Sequence, residues 1–125
     1  MENELLKSIH VIGESPKSGT IFAADDVFST VVGLNASEVE GVMGLADLNT
    51  GELITKMNNK SLNRALRFDF TEGAVTALIG IIVVAGSNLL SVSRAVQHKV
   101  STAVEDIIGV TLKSVNIQIS DVRSR

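Results

Sequence analysis

Ala77-Leu78-Ile79-Gly80-Ile81-Ile82-Val83-Val84-Ala85 is almost purely aliphatic, and no charged residue stands between Glu72 and Arg94 around it. A membrane-spanning helix needs about 20 consecutive apolar residues. The solidly apolar run is less than half that, and Ser87, Asn88, Ser91 and Ser93 interrupt the residues after it. The stretch predicts a central strand buried on both faces, because a strand with one wet face would alternate. Its upstream neighbour does alternate. Leu66, Phe68 and Phe70 are separated by Arg67 and Asp69, the period of a half-buried strand. Glu72-Gly73 between the two supplies a tight antiparallel turn.

Downstream, Ser87 or Asn88 is suited to cap a helix. Leu89, Val92, Val96, Val100, Ala103, Val104 and Ile107 then recur at three- and four-residue steps. Gly109 is placed as a left-handed C-cap. Ser114 to Ser120 reads as a last strand with Val115, Ile117 and Ile119 inward. Strand, helix, strand in that order makes a right-handed βαβ unit with parallel strands.

Upstream, Thr20-Ile21-Phe22 opens the structured part. Asp25 or Asp26 is expected to serve the first turn of a helix ending near Glu38, with Val27, Val31 and Leu34 as its core stripe and Phe28 and Val32 widening it. Gly33 inside that helix fits close packing against a neighbour. Val39 to Leu45 reads as extended, Asn49-Thr50-Gly51 as a turn, Glu52 to Lys56 as a short returning strand and Asn58-Asn59-Lys60 as loop. The expected class is α+β: a small mixed β-sheet with two main helices packed on it, order α-β-β-β-α-β, ending in the βαβ unit. Residues 1–18, with turn chemistry around Pro16, form a flexible lead-in, residues 19–122 one domain and residues 123–125 a tail.

The 125 residues suffice for one core without staples. With no cysteine, disulfides, thiolate nucleophiles and Cys-ligated zinc are excluded. Met1-Glu2-Asn3-Glu4 lacks the basic and apolar regions of a signal peptide, so a cytoplasmic location is expected. The net charge of −3 creates no field for nucleic acid or an anionic membrane. Lys56, Lys60, Arg64 and Arg67 form a basic strip without an intervening acid, read first as a solvated connecting segment. Without tryptophan or tyrosine beside it, the strip lacks the stacking platforms of single-strand binders.

Nothing in the pattern writes catalysis. His98 has Arg94 one turn before it and Thr102 one turn after, and neither makes a dyad. Asp25-Asp26 and Glu105-Asp106 are adjacent, so on helices their side chains diverge by about 100°. No transition-metal site and no phosphate-cradling loop with a lysine is present in the sequence. No enzyme activity and no cofactor is expected.

Three stretches in order carry a resemblance. They are Gly19-Thr-Ile-Phe-Ala-Ala-Asp-Asp-Val27, Ala36-Ser-Glu-Val-Glu-Gly-Val42, and Gly86-Ser-Asn-Leu89 with Val96-Gln97 and Val115-Asn-Ile-Gln-Ile119. Together they resemble the alkaline shock protein family of small bacterial cytoplasmic proteins tied to envelope stress. The chain departs from that pattern at Ala85, where an aromatic is common, and at Arg64-Ala65-Leu66. The resemblance implies a non-enzymatic scaffold that self-associates and docks onto a partner near the membrane. An alternative is a regulatory adapter of fatty-acid synthesis acting on acetyl-CoA carboxylase. Expected partners are therefore a second copy of the chain and a protein at the membrane or a lipid-synthesis enzyme, with no direct membrane span. Asn88, Arg94 and Gln97 are the candidate contacts for a protein partner. Lys60, Arg64 and Arg67 are those for the less favoured nucleic-acid or anionic ligand.

Overall fold

A computed structural model of the chain describes residues 22–125, and the expected lead-in lies outside them. Its elements are α1 (Phe22–Ser37), β1 (Val42–Leu45), α2 (Asn59–Ala65), β2 (Leu66–Thr71), β3 (Ala74–Val84), α3 (Leu89–Ala103) running on into a π-helical turn (Val104–Ile108), and β4 (Ser114–Arg123). The class is α+β, as expected, with one more helix than expected between β1 and β2.

β3 is the axis of the sheet. β4 lies parallel along one of its edges, from Thr76↔Ser114 to Val84↔Arg123. β2 and β1 share the other edge end to end, both antiparallel, from Thr71↔Ala74 to Leu66↔Ile79 and from Leu45↔Ile81 to Val42↔Val83. The β2–β3 hairpin turns through Glu72 at φ 52° and Gly73 at φ 78°. Two positive φ angles in a two-residue loop match the twist of the flanking strands. Asn88 caps α3, its Oδ1 accepting from the Ser91 N–H at 2.9 Å, and Gly109 closes the π turn in the left-handed conformation.

Both faces of β3 are covered, for two different reasons. Ile79, Ile81 and Val83 pack with Phe28, Val32, Val96 and Val100 under α1 and α3. On the opposite face Gly80 and Ile82 are buried too. There the segment after β1 crosses the sheet: a Cβ on Gly80 would stand 2.4 Å from the Ala46 carbonyl oxygen and 3.1 Å from Leu48 Cδ2. Gly33 opens a second close approach, a Cβ there meeting Leu62 Cδ2 of α2 at 2.7 Å.

Several expectations are corrected. α1 begins at Phe22, so Asp25 and Asp26 lie inside it rather than before it. Its buried stripe is Phe28, Ser29, Val32, Gly33 and Ala36, rotated from the expected one, and Val27 and Leu34 remain 41% and 43% exposed. The long apolar side chains outnumber what one helix face can bury, and the aromatic ring takes the core. Asn58-Asn59-Lys60 is not loop: Asn58 Oδ1 accepts the Ser61 N–H at 2.8 Å and starts α2. Of the strand expected at Glu52 to Lys56, a single bridge remains, Ala46↔Leu53. Ile107 is 65% exposed. The wider π turn breaks the α-helical phase there, so Ile108 rather than Ile107 returns to the core. β4 continues past Ser120 to Arg123.

Candidate interaction surface

Two surfaces collect the residues that the sequence marks for contacts. The first is the flank of α3 and β4. Gln97 is exposed, and its Nε2 donates to the Val115 carbonyl oxygen at 2.9 Å and ties the helix to the strand. Arg94 is exposed on α3. Asn88 is occupied as the cap of α3, at one side of a groove of about 480 Å³ also lined by Glu40, Gly41, Ser87 and Arg125. The structure gives Asn88 and Gln97 internal bonds, and all three residues are exposed on the surface.

The second surface is the basic strip. Lys60 and Arg64 stand one turn apart on α2, and Arg67 lies on β2 on the face turned away from α1 and α3. All three are exposed. Arg64 and Lys56 line a groove of about 250 Å³ together with Asp47 and Glu52. Two acids from outside the strip therefore balance two of its cations in space, which weakens it as an electrostatic footprint for nucleic acid.

Asp47 was not singled out by sequence reasoning, yet it organises this corner. Its Oδ1 accepts the N–H groups of Asn49 at 2.8 Å and Thr50 at 3.1 Å, and its own N–H donates to Glu52 O at 2.8 Å. Those two backbone donors, and the nearby Arg64 charge, hold its carboxyl below the usual aspartate range, against a smaller opposing effect of burial. The Asp-x-x-Thr-Gly run could have suggested such a turn. A folded-state value depressed below the unfolded one stabilises the fold above the unfolded value, and the contribution is lost as pH falls through the folded one. In acid titrations followed by circular dichroism, Asp47→Asn should flatten the stability loss below about pH 4 while lowering stability at neutral pH. Identical pH profiles for the two proteins would contradict this role.

The long apolar side chains left open on the described surface are Val27, Leu34, Met57, Leu89, Leu90, Ile107 and Val122. Leu90, 60% exposed, is on the α3 flank that carries Gln97, and Val122, 44% exposed, is on β4. Among the described residues no group of His, Cys, Asp or Glu has the arrangement of a metal site, and no helix is long and apolar enough to cross a membrane.

Comparison with known proteins gives the chain a family context. The model of the alkaline shock protein family, described as having a cell envelope-related function, matches residues 13–124. The chain is similar to the uncharacterized protein Spy1614 of Streptococcus pyogenes serotype M6, at 28% identity over 113 residues, covering 86% of this chain and 90% of that protein. It is also similar to the uncharacterized protein YqhY of Bacillus subtilis, at 22% over 118 residues, covering 94% and 85% respectively. A further relative, the uncharacterized protein Spy1535 of the same streptococcus, is 29% identical over 105 residues, covering 83% of this chain and 79% of that protein. No solved structure matches significantly.

Proposed function

The chain belongs to the alkaline shock protein family, and from that premise we propose that it is a non-enzymatic cytoplasmic scaffold in cell-envelope homeostasis, self-associating and docking to a protein partner at the membrane. The observation that carries the reading is the family match across residues 13–124. Two features of the fold support it. The grooves near Asn88 and Asp47 are lined by groups already engaged in capping and turn formation, an arrangement suited to holding shape rather than to acid–base work. Exposed leucine and isoleucine side chains on α3 and the turn after it offer apolar area to another protein.

Attachment through a partner separates this reading from direct lipid binding. In cell lysates part of the protein should sediment with membranes and be released by protease treatment of those membranes. The purified chain should leave bare phosphatidylglycerol vesicles unbound in flotation. Binding to bare vesicles would overturn docking through a protein. The adapter alternative, regulation of acetyl-CoA carboxylase, rests on the family resemblance. It predicts altered carboxylase activity when the purified chain is added to the purified enzyme.

A further inference from the structure

Among the described residues β4 is paired on one side, with β3. Among the described residues no strand lies along its second edge, although it spans Ser114–Arg123 at the border of the sheet. Natural sheets commonly protect such borders with lysine, proline or inward charges. Asn116 to Ile119 contains none of these, and the bulge of β4, where Ile81 pairs with Ile119 and Ile82 with Asp121, leaves Ser120 as the extra residue at the end of that stretch.

The ladder fixes which groups point outward. Odd-numbered residues of β3 turn to β4: Val75 O accepts the Lys113 N–H and the Ala85 N–H donates to Arg123 O, each at 2.7 Å. Gly80 O and Val84 N–H turn the other way, to Ala46 and Gly41. Ala77 is level with Val115, Ile79 with Ile117 and Ile81 with Ile119. In a parallel ladder an inward-facing residue bonds to the neighbours of the residue opposite it. Val115, Ile117 and Ile119 therefore present their own N–H and C=O groups to the outer edge.

The ends of that edge are already closed. The Val115 carbonyl is taken by Gln97, and the Val122 N–H is taken by Asp121 Oδ1 at 2.8 Å, with Arg123 held on the other oxygen of Asp121. Between the Val115 carbonyl and the bulge at Ser120 stay the outward groups of Ile117 and Ile119, two donors and two acceptors.

We infer that this window is a dimer interface, in which β4 pairs antiparallel with β4 of a second copy about a two-fold axis at Gln118. The inference rests on the self-association reading above and gives it a surface. In that register Ile117 faces Ile119 of the second copy and exchanges both backbone bonds with it. The symmetric repeat uses the remaining two donors and acceptors, so all four groups are paired and none outside the window is needed. On the helix side isoleucine meets isoleucine; on the other side Gln118, whose Nε2 also donates to the Leu48 carbonyl oxygen at 3.1 Å, stands opposite its own symmetry mate. No like charges are opposed within the window. Leu90, on the flank of α3 that carries Gln97, leaves further apolar area open on the helix side of the sheet. A two-fold contact of one patch with itself is the commonest symmetry of small assemblies.

The absence of cysteine from the natural chain makes the test direct. Residues opposite each other across a non-hydrogen-bonded pair stand about 4.5 Å apart at Cα, within disulfide range. Gln118→Cys in the full chain should therefore form a disulfide-linked dimer under mild oxidation, and Ser114→Cys, which does not face itself, should not. Light scattering of the unmodified chain should rise with concentration from 13.2 kDa to twice that mass. Ile117→Lys should weaken the dimer at least tenfold with an unchanged circular dichroism spectrum. If that variant fails to fold, the cysteine pair still decides. A dimer that neither cross-links at Gln118 nor responds at Ile117 would overturn the β4 interface and leave self-association through another face. A monomer up to millimolar concentration would overturn both.

Discussion

Phe28→Ala should lower the free energy of unfolding by about 3–5 kcal/mol, the usual cost of deleting a buried aromatic ring. Phe28 is fully buried, and its ring sits 5.5 Å from that of Phe68 and 5.9 Å from that of Phe70, both on β2. The ring is thus the contact by which α1 grips the hairpin. Removing it leaves a void between elements that cannot close, because α1 is also held by Leu62 against Gly33 and by the Ser29–Asn63 hydrogen bond at 2.7 Å. Urea denaturation followed by circular dichroism gives the number. A loss below about 1 kcal/mol would mean that the helix settles onto the sheet without the ring.

Gly80→Ala should be almost as damaging, on the order of 3 kcal/mol, although it adds one carbon. The added atom would stand 2.4 Å from the Ala46 carbonyl oxygen, and that oxygen belongs to backbone. The Ala46 N–H is itself bonded to Gly80 O at 2.9 Å, so the crossing segment cannot move off without breaking the bond. The change should therefore loosen residues 46–54 first, and hydrogen exchange should accelerate at Ala46 and Ile54 more than within α3. Uniform acceleration, or none, would show that the crossing is not pinned at Gly80.

How far the sequence discloses this arrangement depends on whether the signal is local. The hairpin, the cap at Asn88, the left-handed Gly109 and the parallel β4 rest on turn chemistry and periodicity within a few residues, and they are legible. The stripe of α1 is not, because Val27, Phe28, Val31, Val32 and Leu34 are all apolar and only the packed sheet selects among them. α2 is hidden for the opposite reason: seven residues, Asn59–Ala65, carry too few apolar positions to display a period. For the candidate surface the lesson is similar. Asn88 is legible as a helix cap, whereas the bond from Gln97 to the Val115 carbonyl joins residues 18 positions apart. The acids opposite the basic strip and the bare edge of β4 arise from chain crossings and pairings that no local window contains.

Every other strand of the sheet attaches to β3, but the distances along the chain differ widely. β2 meets it through a two-residue turn, whereas β4 and β1 lie about forty positions away in either direction. Nearby pairs close in microseconds, and loop closure makes distant, parallel ones slow. During synthesis the hairpin therefore forms while one border of β3 waits for β4 to emerge. Until β4 docks, the most aliphatic strand of the protein presents an open row of amides flanked by isoleucine and valine, the kind of segment that pairs with neighbouring chains. A transcript or protease cut that stops after α3 would make that waiting state permanent, so β4 acts as the chain's protection against its own centre.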